Sequence, residues 1–189
     1  MRRPRNPYEG FTDSSPRTGK DGKNYDWISD ELYHKTLGVH DVLWRYAVIR
    51  FSNEIACPIL LVGYGSVPMA IELSQWTYPI TFVAQSDVEA RQIAIDCEHQ
   101  AGFMKIIIAD PYMDVPQARV CMFTGLLGGL KTERQIYKWL DLLTRRCPYV
   151  VCAELTTIRD WKKLLQERYH VTGLWYSRQQ YTFLEIRRK

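Results

Sequence analysis

No stretch of this 189-residue chain approaches the ~20 consecutive apolar residues that a membrane-spanning helix needs, and no apolar segment follows the basic, polar N-terminus. The expectation is a soluble, cytoplasmic protein with no membrane partner. Histidine is scarce, and the sequence around His34, His40, His99 and His170 suggests neither metal ligation nor nucleophilic catalysis, so these read as surface or interface residues. Five cysteines (Cys57, Cys97, Cys121, Cys147 and Cys152) form no Cys-x-x-Cys pair and no Cys/His cluster, which argues against a zinc module. Their number is odd and four lie in or beside apolar runs, the pattern of small buried side chains in a reducing compartment. Internal repeats and low-complexity tracts are also lacking, which argues against a solenoid.

What is present is 46% hydrophobic residues, enough at this length for one α/β domain with an extension. The formal charge of +4 permits a polyanionic partner without requiring one. Its distribution is uneven: Arg2, Arg3, Arg5, Arg17, Lys20 and Lys23 crowd the first segment, and Arg187, Arg188 and Lys189 close the chain. Residues 1–24 have little to bury and read as a mobile arm or a strap that orders on binding. Residues 25–40 read as a short helical cover, giving a division into an extension (1–40) and a main domain (41–189). The aromatics Tyr8, Phe11, Tyr25, Trp27, Tyr33 and Trp44 serve either to pin the extension on the domain or to contact a substrate or a single-stranded nucleic acid. Asp41 is placed to cap a helix over 42–55.

From Pro58 the hydrophobic period alternates between strand and helix. The spacing predicts strands at 59–63, 80–84, 104–109, 120–124, 149–154, 171–176 and 182–186, and helices at 67–76, 87–101, 132–146 and 158–168. The first five strands are near-continuous apolar runs, as expected of a parallel sheet buried on both faces. The last two are joined through Ser177-Arg178-Gln179-Gln180 without a helix and should form an antiparallel hairpin. Within Pro58 to Leu73 the apolar run stops at Gly63-Tyr64-Gly65 and an amphipathic pattern begins at once. A strand that turns through glycines into a helix N-terminus offers bare backbone and unpaired N–H groups to a ligand.

This order, with its glycine turn and closing hairpin, resembles the class I S-adenosylmethionine-dependent methyltransferases over roughly Asp41 to Arg188. The resemblance implies a Rossmann-like, seven-stranded, mostly parallel α/β sheet with an antiparallel C-terminal hairpin, helices on both faces, and an N-terminal helical or irregular extension. It also implies S-adenosylmethionine (SAM) as cofactor. The family's acid-x-Gly-x-Gly-x-Gly turn falls on Leu61, Gly63, Gly65 and Val67, so two glycines are kept while the acid and the third glycine are replaced. Gly63, Tyr64 and Gly65 would then wrap the methionine part. At the end of strand two, Gln85 stands where the family places its ribose-binding acid, with Ser86 beside it and Asp87 either substituting or capping the next helix. After strand three, Asp110-Pro111 matches the loop that takes the adenine amino group, or alternatively starts an ordinary turn. Thr124 ends strand four, where substrate-facing residues gather, and no acid, amide or lysine there offers a general base.

Two further likenesses are weaker. Asp110-Pro111-Tyr112 is similar to the Asp-Pro-Pro-Tyr motif of methyltransferases that modify exocyclic amino groups of bases, but lacks one proline and follows the third strand. Gly63-Tyr64-Gly65-Ser66-Val67-Pro68-Met69 resembles the turn of nicotianamine synthases, which transfer the aminobutyrate arm of SAM, although proline in a first helical turn has a local explanation. The sequence therefore leaves three readings: a methyltransferase acting on a nucleic acid or a small molecule, a methyltransferase-like binding protein without turnover, and an aminobutyrate transferase. It assigns no catalytic residue, no metal and no oligomeric state.

Overall fold

The computed structural model describes residues 43, 58–75, 79–98, 104–176 and 181–189. The expected basic arm, the helical cover, most of the helix after Asp41 and the hairpin turn lie outside these residues. The elements run β1 (Ile59–Val62), α1 (Val67–Gln75), β2 (Ile80–Ala84), α2 (Asp87–Asp96), β3 (Met104–Ile108), β4 (Val120–Thr124), α3 (Glu133–Arg146), β5 (Tyr149–Leu155), α4 (Trp161–Leu165), β6 (Tyr169–Tyr176) and β7 (Tyr181–Arg188).

All seven strands form one sheet in the order β3-β2-β1-β4-β5-β7-β6. β1 to β5 are parallel, and β7 inserts antiparallel between β5 and β6. A hairpin connection is too short to cross the sheet, so β6 and β7 must run antiparallel. β1 lies at the centre with all four residues buried, and Leu61 sits between Phe82 and Met122. Alternate residues face two separate cores. Leu60, Phe123 and Cys152 pack with α3 and α4, whereas Leu61, Phe82 and Met122 pack with α1, α2 and Leu43.

α3 shows how local sequence and packing cooperate. Thr132 and Gln135 form a reciprocal capping box, which satisfies two of the otherwise orphaned N–H groups, and Arg145 and Arg146 complement the helix dipole at the far end. One face, including Ile136, Trp139, Leu140 and Leu143, is buried against the sheet. Four cysteines described here, Cys97, Cys121, Cys147 and Cys152, are unpaired and buried as expected. Desolvation pushes the Cys97 thiol up to about 12 and raises Cys121 and Cys152, which suits packing and not nucleophilic chemistry.

The structure corrects several expectations. β3 is an edge strand and not fully buried, with Ile108 42% exposed, because the chain returns from it to the opposite side of β1. The return, residues 109–119, contains no helix, in keeping with the helices that the spacing predicts. Pro111 and Pro116 explain this, since proline removes a donor and pushes its predecessor out of helical conformation. Val115 anchors the segment in the core and the Asp114 carboxylate grips the Arg146 guanidinium through two hydrogen bonds. α2 stops at Asp96, and α4 is one short turn begun by the Asp160 cap. Among the described residues, no helix is long and apolar enough to cross a membrane.

Candidate functional site

The turn after β1 is built by backbone demands. Gly63 has φ 76° and ψ 151°, a conformation open essentially to glycine alone. Its N–H bonds to the Val83 carbonyl (3.0 Å), which ties the turn to β2. Ser66 closes the turn through its N–H to Gly63 O (2.9 Å) and its hydroxyl to Val62 O (2.8 Å). Gly65 meets a different constraint. A Cβ there would collide with the Thr124 carbonyl oxygen at the end of β4, so the missing side chain is what lets the two strand ends meet.

Glu89, a residue the sequence reading passed over, organises the next part. Its carboxylate accepts from the Tyr64 N–H (2.6 Å) and from the Gln85 N–H, bridging the glycine turn to the end of β2. The helix that carries it is capped by Ser86, whose hydroxyl accepts from Glu89 N (3.2 Å), and Asp87 is its exposed first residue. Ser86, and not Asp87, is therefore the cap. The Ser-x-x-Glu spacing was the available signal. Tyr64 extends along the same helix and its hydroxyl donates to Asp96, which also receives Gln92 Nε2 (3.1 Å).

The third wall comes from the end of β4. Gly63, Tyr64, Gly65, Gln85, Thr124, Gly125, Leu126, Gly129 and Leu130 enclose a cleft of about 210 Å³ at the carboxyl ends of β1, β2 and β4. Thr124 is buried within it and its Oγ1 has no hydrogen-bond partner among the described residues. An orphaned buried hydroxyl costs about 1–3 kcal/mol, so the cleft is suited to a ligand with a polar group at that point. The loop 125–130 is held from behind by Glu154 of β5, whose oxygens accept from Leu127 N (2.8 Å) and Gly128 N (3.0 Å). Glu154 is fully buried, and desolvation pushes its carboxyl up to about 8 despite those two donors. It was invisible in sequence because it lies inside an apolar strand.

Asp110 and Pro111 are not among the residues lining this cleft. Asp110 Oδ1 accepts from Tyr112 N (2.7 Å) and Met113 N (3.1 Å), closing a turn onto itself. Lys138 reaches down to Tyr112, donating to its hydroxyl and lying 3.8 Å from the ring centroid. Thus the structure brings Gly63, Tyr64, Gly65, Gln85 and Thr124 together, sets Ser86 and Asp87 at the adjoining helix start, and gives Asp110 a turn-forming role on the exposed loop after β3. Leu61 is fully buried in the α1-side core and Val67 is buried beside it.

A central strand turning through glycine, parallel neighbours in the order seen here and an inserted antiparallel seventh strand define the class I SAM-dependent methyltransferase fold. Solved structures agree. The chain resembles magnesium protoporphyrin IX methyltransferase from Synechocystis PCC 6803 with bound SAM, at TM-score 0.66 and 13% identity over 90% of this chain and 88% of that one. It also resembles a TehB-like SAM-dependent methyltransferase from Corynebacterium glutamicum, at TM-score 0.58 and 10% identity over 83% and 99% of the two chains. No protein-family profile and no curated protein sequence matches the chain.

Proposed function

We propose that this protein is a SAM-dependent methyltransferase whose cofactor enters the cleft at the glycine turn. The observation that carries the reading is the unpartnered Thr124 hydroxyl, buried beside a bare glycine backbone at the carboxyl ends of β1, β2 and β4. Ligands of open α/β sheets bind at such strand ends, where the strand order reverses. In this reading Gly63, Tyr64 and Gly65 cradle the methionine portion, and Thr124 Oγ1 satisfies a polar atom of it. Gln85, with Ser86, Asp87 and Glu89 beside it, faces the ribose hydroxyls. Asp110 and Pro111 border the adenine through the loop after β3.

Bound in the cleft, SAM would supply an electrophilic methyl group on a sulfonium. The chain's own contribution is orientation, with Leu126 and Leu130 adding apolar surface to the cleft beside the glycine turn. The acceptor is a nucleic acid or a small molecule.

Calorimetric titration with SAM tests the reading: heat of binding is expected, and silence at millimolar cofactor would sink it. Thr124→Val refines the test. The nearly isosteric change removes an unsatisfied hydroxyl, so thermal stability is expected to hold or rise while SAM affinity drops by about tenfold. Unchanged affinity would exclude Thr124 from the site. Asp110→Ala should weaken SAM binding more than Asp87→Ala; the reverse order would refute the placement of adenine and ribose.

A further inference from the structure

A second and larger hollow lies among residues apart from the cleft lining. It measures about 850 Å³ and runs between α4 with its preceding loop and the β6–β7 hairpin. α4 is pinned by Trp161 and Leu165, both buried, and Trp161 Nε1 donates to Leu155 O (2.7 Å). Lys162 and Lys163, between those anchors, and Gln166, just past them, are exposed and line the hollow, whereas Leu164 packs against the core. Arg159 joins them from the loop before α4, its guanidinium 5.4 Å from the Trp161 ring centroid.

The charges along this groove are unequal. Asp160 is the one carboxylate among its lining residues, and its Oδ1 is engaged as the helix cap by Lys163 N (3.0 Å). Arg159 makes a 3.3 Å pair with Glu133, whose side chain is 59% exposed, and Arg159 Nε has no partner among the described residues. Such a pair is worth about 0–1 kcal/mol, so a phosphate, which accepts from a guanidinium through two oxygens, can replace it at little cost. β6 bulges against β7 between Gly173 and Trp175, and a Cβ built on Gly173 meets nothing within 4 Å among the described residues, so the floor there is bare backbone.

The groove also adjoins the cofactor cleft. Thr182, on its floor, pairs across the sheet with Glu154, and Glu154 holds the loop that walls the cleft. Ile158 Cδ1, from the segment that rims the groove, lies 2.8 Å from where a Cβ on Gly128 would stand.

We propose that this groove binds the phosphodiester backbone of a single-stranded nucleic acid, with Arg159, Lys162 and Lys163 on phosphates and the bare strand surface at Gly173 under the chain. This rests on the methyltransferase reading insofar as it names the acceptor class. Size favours a strand over a lone phosphate ester, because the hollow of about 850 Å³ far exceeds the 210 Å³ of the cofactor cleft and the three cations share one wall of it.

The full-length protein would be titrated into a fluorescein-labelled single-stranded oligoribonucleotide by anisotropy at several salt concentrations, with S-adenosylhomocysteine binding measured separately by calorimetry. The Lys162→Glu/Lys163→Glu double variant is expected to bind the strand about tenfold more weakly or worse, with a log–log salt slope shallower by roughly 1.4. Gly173→Leu should block the strand by filling the floor while leaving the melting temperature and cofactor affinity unchanged. Strand affinity unaltered in both variants would overturn the groove, and so would the absence of strand binding by a protein that binds cofactor. Adenosine monophosphate or inorganic phosphate competing as well as the strand would overturn the polynucleotide assignment. Strand binding lost in the variants of a protein that ignores SAM would uphold the groove and remove the methyl-transfer reading alone.

Discussion

Gly65→Ala is expected to lower stability by about 3 kcal/mol or more, a drop of roughly 6–12 °C in melting temperature for a chain of this size, and to abolish SAM binding. The added methyl falls on the Thr124 carbonyl oxygen, which is backbone at the end of a central strand and cannot rotate aside. Either the turn after β1 lifts or the end of β4 retreats, and both movements deform the cleft between them. Gly63→Ala is a useful contrast. Its Cβ would sit 3.6 Å from Leu126 Cδ1 and 3.7 Å from Gln85 Nε2, ordinary contacts, so its cost comes from the backbone conformation alone and should be about 1–3 kcal/mol. Thermal denaturation by circular dichroism checks both. A Gly65→Ala protein that melts with the wild type would show that the two strand ends do not pack as described.

Replacing Glu154 by glutamine is expected to flatten the pH dependence of stability between pH 5 and pH 8. The buried carboxyl titrates near 8 in the folded protein against an ordinary 4.5, because loss of solvation outweighs the Leu127 and Gly128 N–H donors. The groups that bear on it electrostatically are Cys152 and Tyr181, whose own titrations are raised by burial and, secondarily, by the Glu154 charge. Between those two values the folded chain holds a proton that the unfolded chain has released. Stability is thus fully present below pH 4.5 and falls by ~1.4 kcal/mol per unit as pH rises, levelling off above 8. The total is on the order of a few kcal/mol. Glutamine can accept only one of the two N–H bonds, which lowers stability by a constant amount but removes the slope. Urea unfolding of both proteins at pH 5 and pH 8 separates these effects; parallel pH profiles would show that Glu154 is not buried as a carboxylic acid behind the 125–130 loop.

Much of the sheet was legible because parallel strands buried on both faces leave apolar runs too continuous to miss, as at ILLV and VCMFT. The hairpin was legible from its short connection. The edge position of β3 was not, since Met104-Lys-Ile-Ile-Ile reads as apolar as a central strand and only the return to β4 decides where it lies. The proline-rich return was legible as a loop, since Pro111 and Pro116 bar a helix there. At the site, the glycine turn showed itself directly because φ and close approach restrict single positions. Glu89 was readable as the fourth member of a Ser-x-x-Glu cap but not as a bridge to Tyr64. Glu154 gave no sign at all.

The sequence by itself determined much of the local vocabulary: where the strands end, where glycines bare the backbone after β1, where α3 begins at Thr132, and which faces are apolar. These depend on contacts within a few residues and are written in period and turn chemistry. Only the tertiary structure decided which polar groups meet. Glu89 reaches the Tyr64 N–H across 25 residues and Glu154 reaches Leu127 across 27, and Thr124 is left without a partner in a cleft made by three strand ends. Such pairings follow from strand order and register, which are fixed by how both faces of the sheet can be buried together and not by any short stretch of chain.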